Sequence, residues 1–141
     1  MNKNTLITIF FVGLIVSNLF ASNDAGWTDY FSNERISIQV KKVECHEPNK
    51  GLHREFLLFR FENKTTQNLD VKFNQELWYN NKLLKTDKNG AMSIHLNPQQ
   101  VLEGQCGTID KALAVFCKNL DLKPTSILSN YSLTSIAIKE N

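Results

Sequence analysis

Glycine and proline are scarce in this 141-residue chain, at 6 and 3 residues. That excludes a collagen-like or Pro/Gly low-complexity chain, and 9 Phe argue against disorder. Excess charge of one sign is missing too. Lys and Arg number 16 against 14 Asp and Glu, a formal +2 that leaves no basic footprint for nucleic acid. The longest uncharged apolar run, Leu6–Val16, has 11 residues and falls short of the roughly 20 that span a membrane. Catalytic and zinc-binding signatures are absent: there is no G-x-S-x-G, H-E-x-x-H, S-x-x-K or C-x-x-C. The length fits one domain.

What is present begins with an address. Lys3 precedes the Leu6–Val16 run, and Ser17-Asn18 and Ala21-Ser22 follow it. A charged start, a short apolar stretch and small residues after it describe a signal peptide over residues 1–21 rather than a retained anchor. No Cys lies near the cleavage region, so no lipid-modified N-terminus is expected. Cleavage removes Lys3 and no acid, leaving 15 basic and 14 acidic residues. The expected location is the periplasm or the exterior, with no membrane attachment after cleavage.

Residues 22–34 are polar, carry Trp27, Tyr30 and Phe31, and show no period. They read as a leader with Trp27 and Phe31 tucked against a domain spanning 35–141. From there the period is two. Ile36, Ile38 and Val40 share one face, and Val43 and Cys45 rejoin it only if a β-bulge sits at Lys41-Lys42. Residues 46–51 form a turn by composition. Residues 54–62 are apolar on both faces, as in a central strand. Leu69, Val71, Phe73, Gln75, Leu77 and Tyr79 alternate with polar partners, which puts Trp78 on the polar side. Asn80-Asn81 suits a two-residue hairpin turn, because Asn tolerates positive φ.

Leu83-Leu84 returns, residues 87–90 turn again, and Met92, Ile94 and Leu96 alternate. Residues 111–120 admit a helix or a strand, and the neighbouring strands favour a strand. The last segment, with Tyr131, Leu133, Ile136 and Ile138, needs one slip of parity. Seven to eight short strands without a long helix imply an all-β fold, a single immunoglobulin-like antiparallel β-sandwich.

Three segments carry a resemblance: Val101–Cys106 (VLEGQC), Glu76–Asn81 (ELWYNN) and Leu128–Lys139 (LSNYSLTSIAIK). Together they resemble small exported, uncharacterised proteins of Bacteroidota-type bacteria. The resemblance implies export and the fold, and transfers no catalytic residue or ligand.

Three cysteines in an oxidising compartment allow one bridge and one leftover thiol. Cys45–Cys106 is the favoured pair because both sit at sheet ends, with Cys106–Cys117 next; Cys117 reads as buried. Such a bridge is worth about 2–4 kcal/mol. A metal or redox site using Cys45, His46 and His53, with His95 elsewhere, is the alternative reading. The spacing matches no structural zinc pattern, and no metal or cofactor is expected. A Cys117–His95 pair depends on the fold, and a glycosidase-like acid pair from Glu44, Glu47, Glu76 or Glu103 has nothing to mark it. Asn63-Lys64-Thr65 and Asn130-Tyr131-Ser132 match glycan acceptors, a pattern common by chance.

Trp78 and Tyr79 are the candidate binding residues, with Tyr30 beside them, since rigid aromatics concentrate binding energy. The expected function is therefore a non-catalytic exported module that meets a protein or glycan partner or plays a structural role. A small hydrolase is the residual alternative.

Overall fold

The structure, a computed structural model, describes residues 26–84 and 90–141. The signal-peptide reading and most of the expected turn at 87–90 lie outside the described residues. Within them the chain forms nine strands: β1 (Thr28–Ser32), β2 (Ile36–Glu47), β3 (Leu52–Asn63), β4 (Leu69–Tyr79), β5 (Lys82–Leu83), β6 (Ala91–Leu96), β7 (Val101–Glu103), β8 (Ala114–Asn119) and β9 (Leu128–Glu140). They make two antiparallel sheets, one of β1, β2, β3, β7 and β8, the other of β4, β5, β6 and β9. The architecture is an all-β sandwich. Strands β7 and β8 both pair with β3, and β5 and β6 both pair with β4. Strands β1 and β7, neither expected from the sequence, raise the count above the expected seven to eight.

The core lies where the inward faces meet. Ile36, Ile38 and Val40 of β2 and Leu57, Phe59 and Phe61 of β3 oppose Leu69, Val71 and Phe73 of β4. Phe61 and Phe73 stack across the layers, ring centroids 5.6 Å apart. Each inward residue alternates with one facing out, so the period of two in the sequence becomes the two sides of each sheet.

Three details depart from the sequence reading. First, part of the expected leader is structural: β1 pairs with β2 over Thr28–Ser32. A break at Asp29/Phe31 in its register hides the period that a strand normally displays. Second, β2 and β3 pair without a break from Ile36↔Asn63 to Glu47↔Leu52. No bulge occurs at Lys41-Lys42, so Val43 and Cys45 lie on the outer face, opposite in sense to Val40. That outer face is itself partly covered, since Cys45 and Leu58 are both buried. Third, residues 111–113 form a turn before β8 starts at Ala114.

Other expectations hold. Asn80 and Asn81 take φ of 51° and 64° in the β4–β5 turn. The parity slip of the last strand is a bulge at Ser135, φ 52°, where β9 shifts register against β4 between Lys72 and Asn74.

Candidate binding cleft

The two sides of the sandwich are closed differently. On one side Tyr30 of β1 reaches across to β9, where its hydroxyl accepts the Leu133 N–H at 2.7 Å. Its ring lies 5.8 Å from that of Tyr131, which in turn meets Phe59 edge-on. Tyr30, read from sequence as a binding aromatic, is thus a strut between the sheets.

On the other side β8 faces the β5–β6 edge, and there the described residues leave a gap. A cleft of about 370 Å³ opens between them, lined chiefly by Leu77, Tyr79, Met92, Val115, Phe116 and Ile109. Its volume lies in the ordinary range for a ligand site. Two polar side chains on its wall are already engaged. Tyr79 donates its hydroxyl hydrogen to the Phe116 carbonyl at 2.6 Å, and Gln75 Nε2 donates to the Lys111 carbonyl at 3.2 Å. Burial holds the Tyr79 phenol above its ordinary range. The open surface of the cleft is accordingly apolar.

One rim is a loop the sequence does not announce. Gly104 N–H donates to the Phe59 carbonyl and Phe59 N–H donates to the Leu113 carbonyl, both at 2.9 Å. The chain leaves β3 at Gly104, travels through 105–112 and returns to the same residue. Only a residue without a side chain fits the crossing, since a Cβ on Gly104 would stand 2.1 Å from the Leu113 oxygen. Loops with touching ends are compact and often functional. Cys106 in this excursion is bridged to Cys45 of β2, Cα atoms 5.6 Å apart, which ties the loop to the outer face of the sheet. The favoured pairing is the one formed. Ile109, near the tip, is 94% exposed.

Beside the cleft lies a second cavity of about 270 Å³, lined by Glu47, Lys50, Arg54 and Gln105 among others. Phe56, Thr108 and Ile109 line both cavities. The Arg54 guanidinium bonds Glu47 and lies 5.2 Å over the Phe56 ring, while Lys50 Nζ is 2.8 Å from Glu47. Hydrogen bonds from Lys50 and then Arg54 hold the Glu47 carboxyl below its usual range.

The remaining sequence candidates scatter. Trp78 is half-buried on the outer face of its sheet, opposite Leu83 and Asn130 in register, so it and Tyr79 point to opposite sides. The structure brings His46 and His53 together across β2–β3, ring centroids 5.2 Å apart. His53 stands 3.3 Å from Glu44 and 3.4 Å from Asp121. The disulfide takes Cys45 away from the metal reading, because a bridged sulfur is no thiolate ligand. Among the described residues no group of three or more His, Cys, Asp and Glu side chains is arranged to hold a metal ion.

Cys117 is unbridged and buried in the core, its thiol pushed up to about 11 by burial and, next, by Glu55. His95 faces outward on the other sheet, 2.7 Å from Asp70, so Cys117 and His95 form no pair. Glu47 pairs with Lys50 and Arg54, Glu44 with His53 and Glu103 with Arg60, while Glu76 faces outward on β4. Asn63 is 1% exposed and bonded through both side-chain atoms to residues 65, 67, 96 and 97, which makes it a structural post rather than a glycan acceptor.

No helix among the described residues is long and apolar enough to cross a membrane. Comparison with family models, with curated proteins and with solved structures finds no match to this chain.

Proposed function

We propose that this protein is an exported, non-catalytic binding module, a β-sandwich of immunoglobulin-like kind that works in the periplasm or outside the cell and takes an apolar group of its ligand into the cleft beside Tyr79. One observation carries the reading. A cleft of ligand size stands open to solvent, lined by Leu77, Met92, Val115 and Phe116, where the opposite side of the sandwich is closed by Tyr30. Apolar surface left in such a concavity is favourable to cover, at about 25 cal/mol per Å².

Supporting features surround it. A disulfide ties the cleft's rim, in keeping with an oxidising compartment and with the resemblance to small exported proteins. β2 and β3 share a sheet, β4 crosses to the other, β7 and β8 return beside β3, and β9 lies beside β4, connections compatible with an immunoglobulin-like partition. Of the two expected partner kinds, the lining favours apolar contact over the hydroxyls of a glycan.

The test is a nitrogen-15 NMR titration of the disulfide-intact protein with indole, a neutral apolar probe. Amide shifts should concentrate at Leu77, Met92, Val115 and Phe116 and vanish in Ala114→Phe, which fills the cleft. Shifts scattered over the surface would sink the proposal. So would reproducible hydrolytic turnover abolished by a single acid or Cys substitution.

A further inference from the structure

Resting on the reading of the cleft as a ligand site, we infer that its ligand is a single-chain anionic amphiphile, a free long-chain carboxylate taken from solution, with its alkyl tail in the cleft and its head at the Lys50–Arg54 end. The two cavities differ in character and share a border. The larger is walled by aliphatic and aromatic side chains, the smaller by Glu47, Lys50 and Arg54, and Phe56, Thr108 and Ile109 belong to both. A ligand crossing that border meets an apolar environment at one end and a charged one at the other.

The charge has a sign. Lys50, Arg54 and Lys111 line the two cavities against Glu47 alone, whereas the mature chain as read from sequence is nearly neutral. Lys50 and Arg54 share the single Glu47 carboxylate, so one acid answers two cations. The Arg54 side chain keeps 28% of its surface exposed and Lys50 69%, so both can be reached from solvent. A carboxylate arriving here gains charge-assisted hydrogen bonds, and an ammonium head meets like charge.

The size sets the tail. The cleft, about 370 Å³, has room for a medium-length alkyl chain. The exposed Ile109 and Leu84 at the rim offer aliphatic surface where such a chain enters.

The experiment compares dodecanoate, dodecanol and dodecyltrimethylammonium, each below its micelle concentration, against the disulfide-intact protein by NMR shift and calorimetry. Dodecanoate should shift the cleft amides and bind at least tenfold tighter than the ammonium. Lys50→Gln, an exposed position in the charged cavity and outside the cleft wall, should weaken that preference and leave dodecanol binding unchanged. Equal affinity for all three heads overturns the anionic ligand while leaving the cleft as an apolar site. Shifts with indole but with none of the three overturn the single-chain class. Sedimentation with phosphatidylglycerol vesicles without cleft shifts assigns the positive charge to a membrane surface and overturns the proposal.

Discussion

Replacing Gly104 with alanine tests the most constrained point of the molecule. The added Cβ would lie 2.1 Å from the Leu113 carbonyl oxygen and 2.9 Å from its carbon. Both are backbone atoms, so no flexible side chain can step aside. Relief requires Leu113 to retreat by more than 1 Å, roughly the gap to ordinary contact. Leu113 is held by the Phe59 N–H, and Gly104 by the Phe59 carbonyl, each at 2.9 Å. Overpacking costs about 1–3 kcal/mol and weakening the Phe59–Leu113 hydrogen bond about 1 kcal/mol, a total of roughly 2–4 kcal/mol.

Urea unfolding followed by circular dichroism, with the disulfide intact, measures this directly. The thermal midpoint should fall by roughly 10–15 °C. Gly107→Ala is the control. Its φ of +88° strains any side chain but nothing lies within 4 Å, so it should cost only about 1 kcal/mol. Because Leu113 leads directly into Ala114, Val115 and Phe116 of the cleft wall, Gly104→Ala should also weaken indole binding. A Gly104→Ala protein within about 0.5 kcal/mol of the parent, or more stable than Gly107→Ala, would refute the reasoning.

Three further outcomes follow from named contacts. Cys45→Ser/Cys106→Ser opens a bridge with a sequence separation of 61 and should lose about 4 kcal/mol on the loop-closure account, read by thermal unfolding. Cys117 should resist a thiol reagent in the native state and yield one reactive thiol on unfolding. Since its folded value is raised to about 11 from 9.0, its contribution is complete below pH 9 and lost as pH climbs through 11, roughly 2 kcal/mol by alkaline unfolding titration. Tyr79 and Tyr131, also raised, push the same way at slightly higher pH. Tyr79→Phe removes the donor to the Phe116 carbonyl and should cost about 1–2 kcal/mol in urea, with the cleft otherwise intact.

Local patterning made much of this fold readable. The alternation of Leu69 through Tyr79 became the inward face of β4, and the two asparagines at 80–81 became a turn with positive φ. These features need only neighbours along the chain. The failures have one cause: they depend on what covers a face. The sequence pattern places Val43 and Cys45 inward only with a bulge, on the premise that apolar residues seek a single core. In the structure the excursion through 105–112, tied down at Cys106, belongs to the outer face, and an apolar residue is accommodated there without any change of register. β1 is not legible in the sequence because its irregular pairing breaks the period that marks a strand. Of the binding candidates, Tyr79 lies on the cleft and Trp78 on the opposite face, a split that alternation implied. The cleft itself was illegible, since Leu77, Met92, Phe116 and Ile109 come from four separate segments.

The asymmetry between the two sides gives the cleft its meaning. A sandwich that only had to be stable would bring β8 against the β5–β6 edge as it brings β1 against β9. Instead, among the described residues, the chain interrupts the row of β7 and β8 with the excursion through 105–112 and holds that interruption in place with a disulfide. The bridge does not close the gap; it tethers the rim beside it, with Ile109 held in water at 94% exposure. Solvated isoleucine on a tethered loop contributes nothing to folding, because its apolar surface stays in water on both sides of the transition. Its cost is recovered only when another apolar group covers it. That ties Ile109 to the same event as the filling of the cleft, and Ile109→Ser should weaken dodecanoate binding while leaving the unfolding free energy from urea within about 0.5 kcal/mol of the parent.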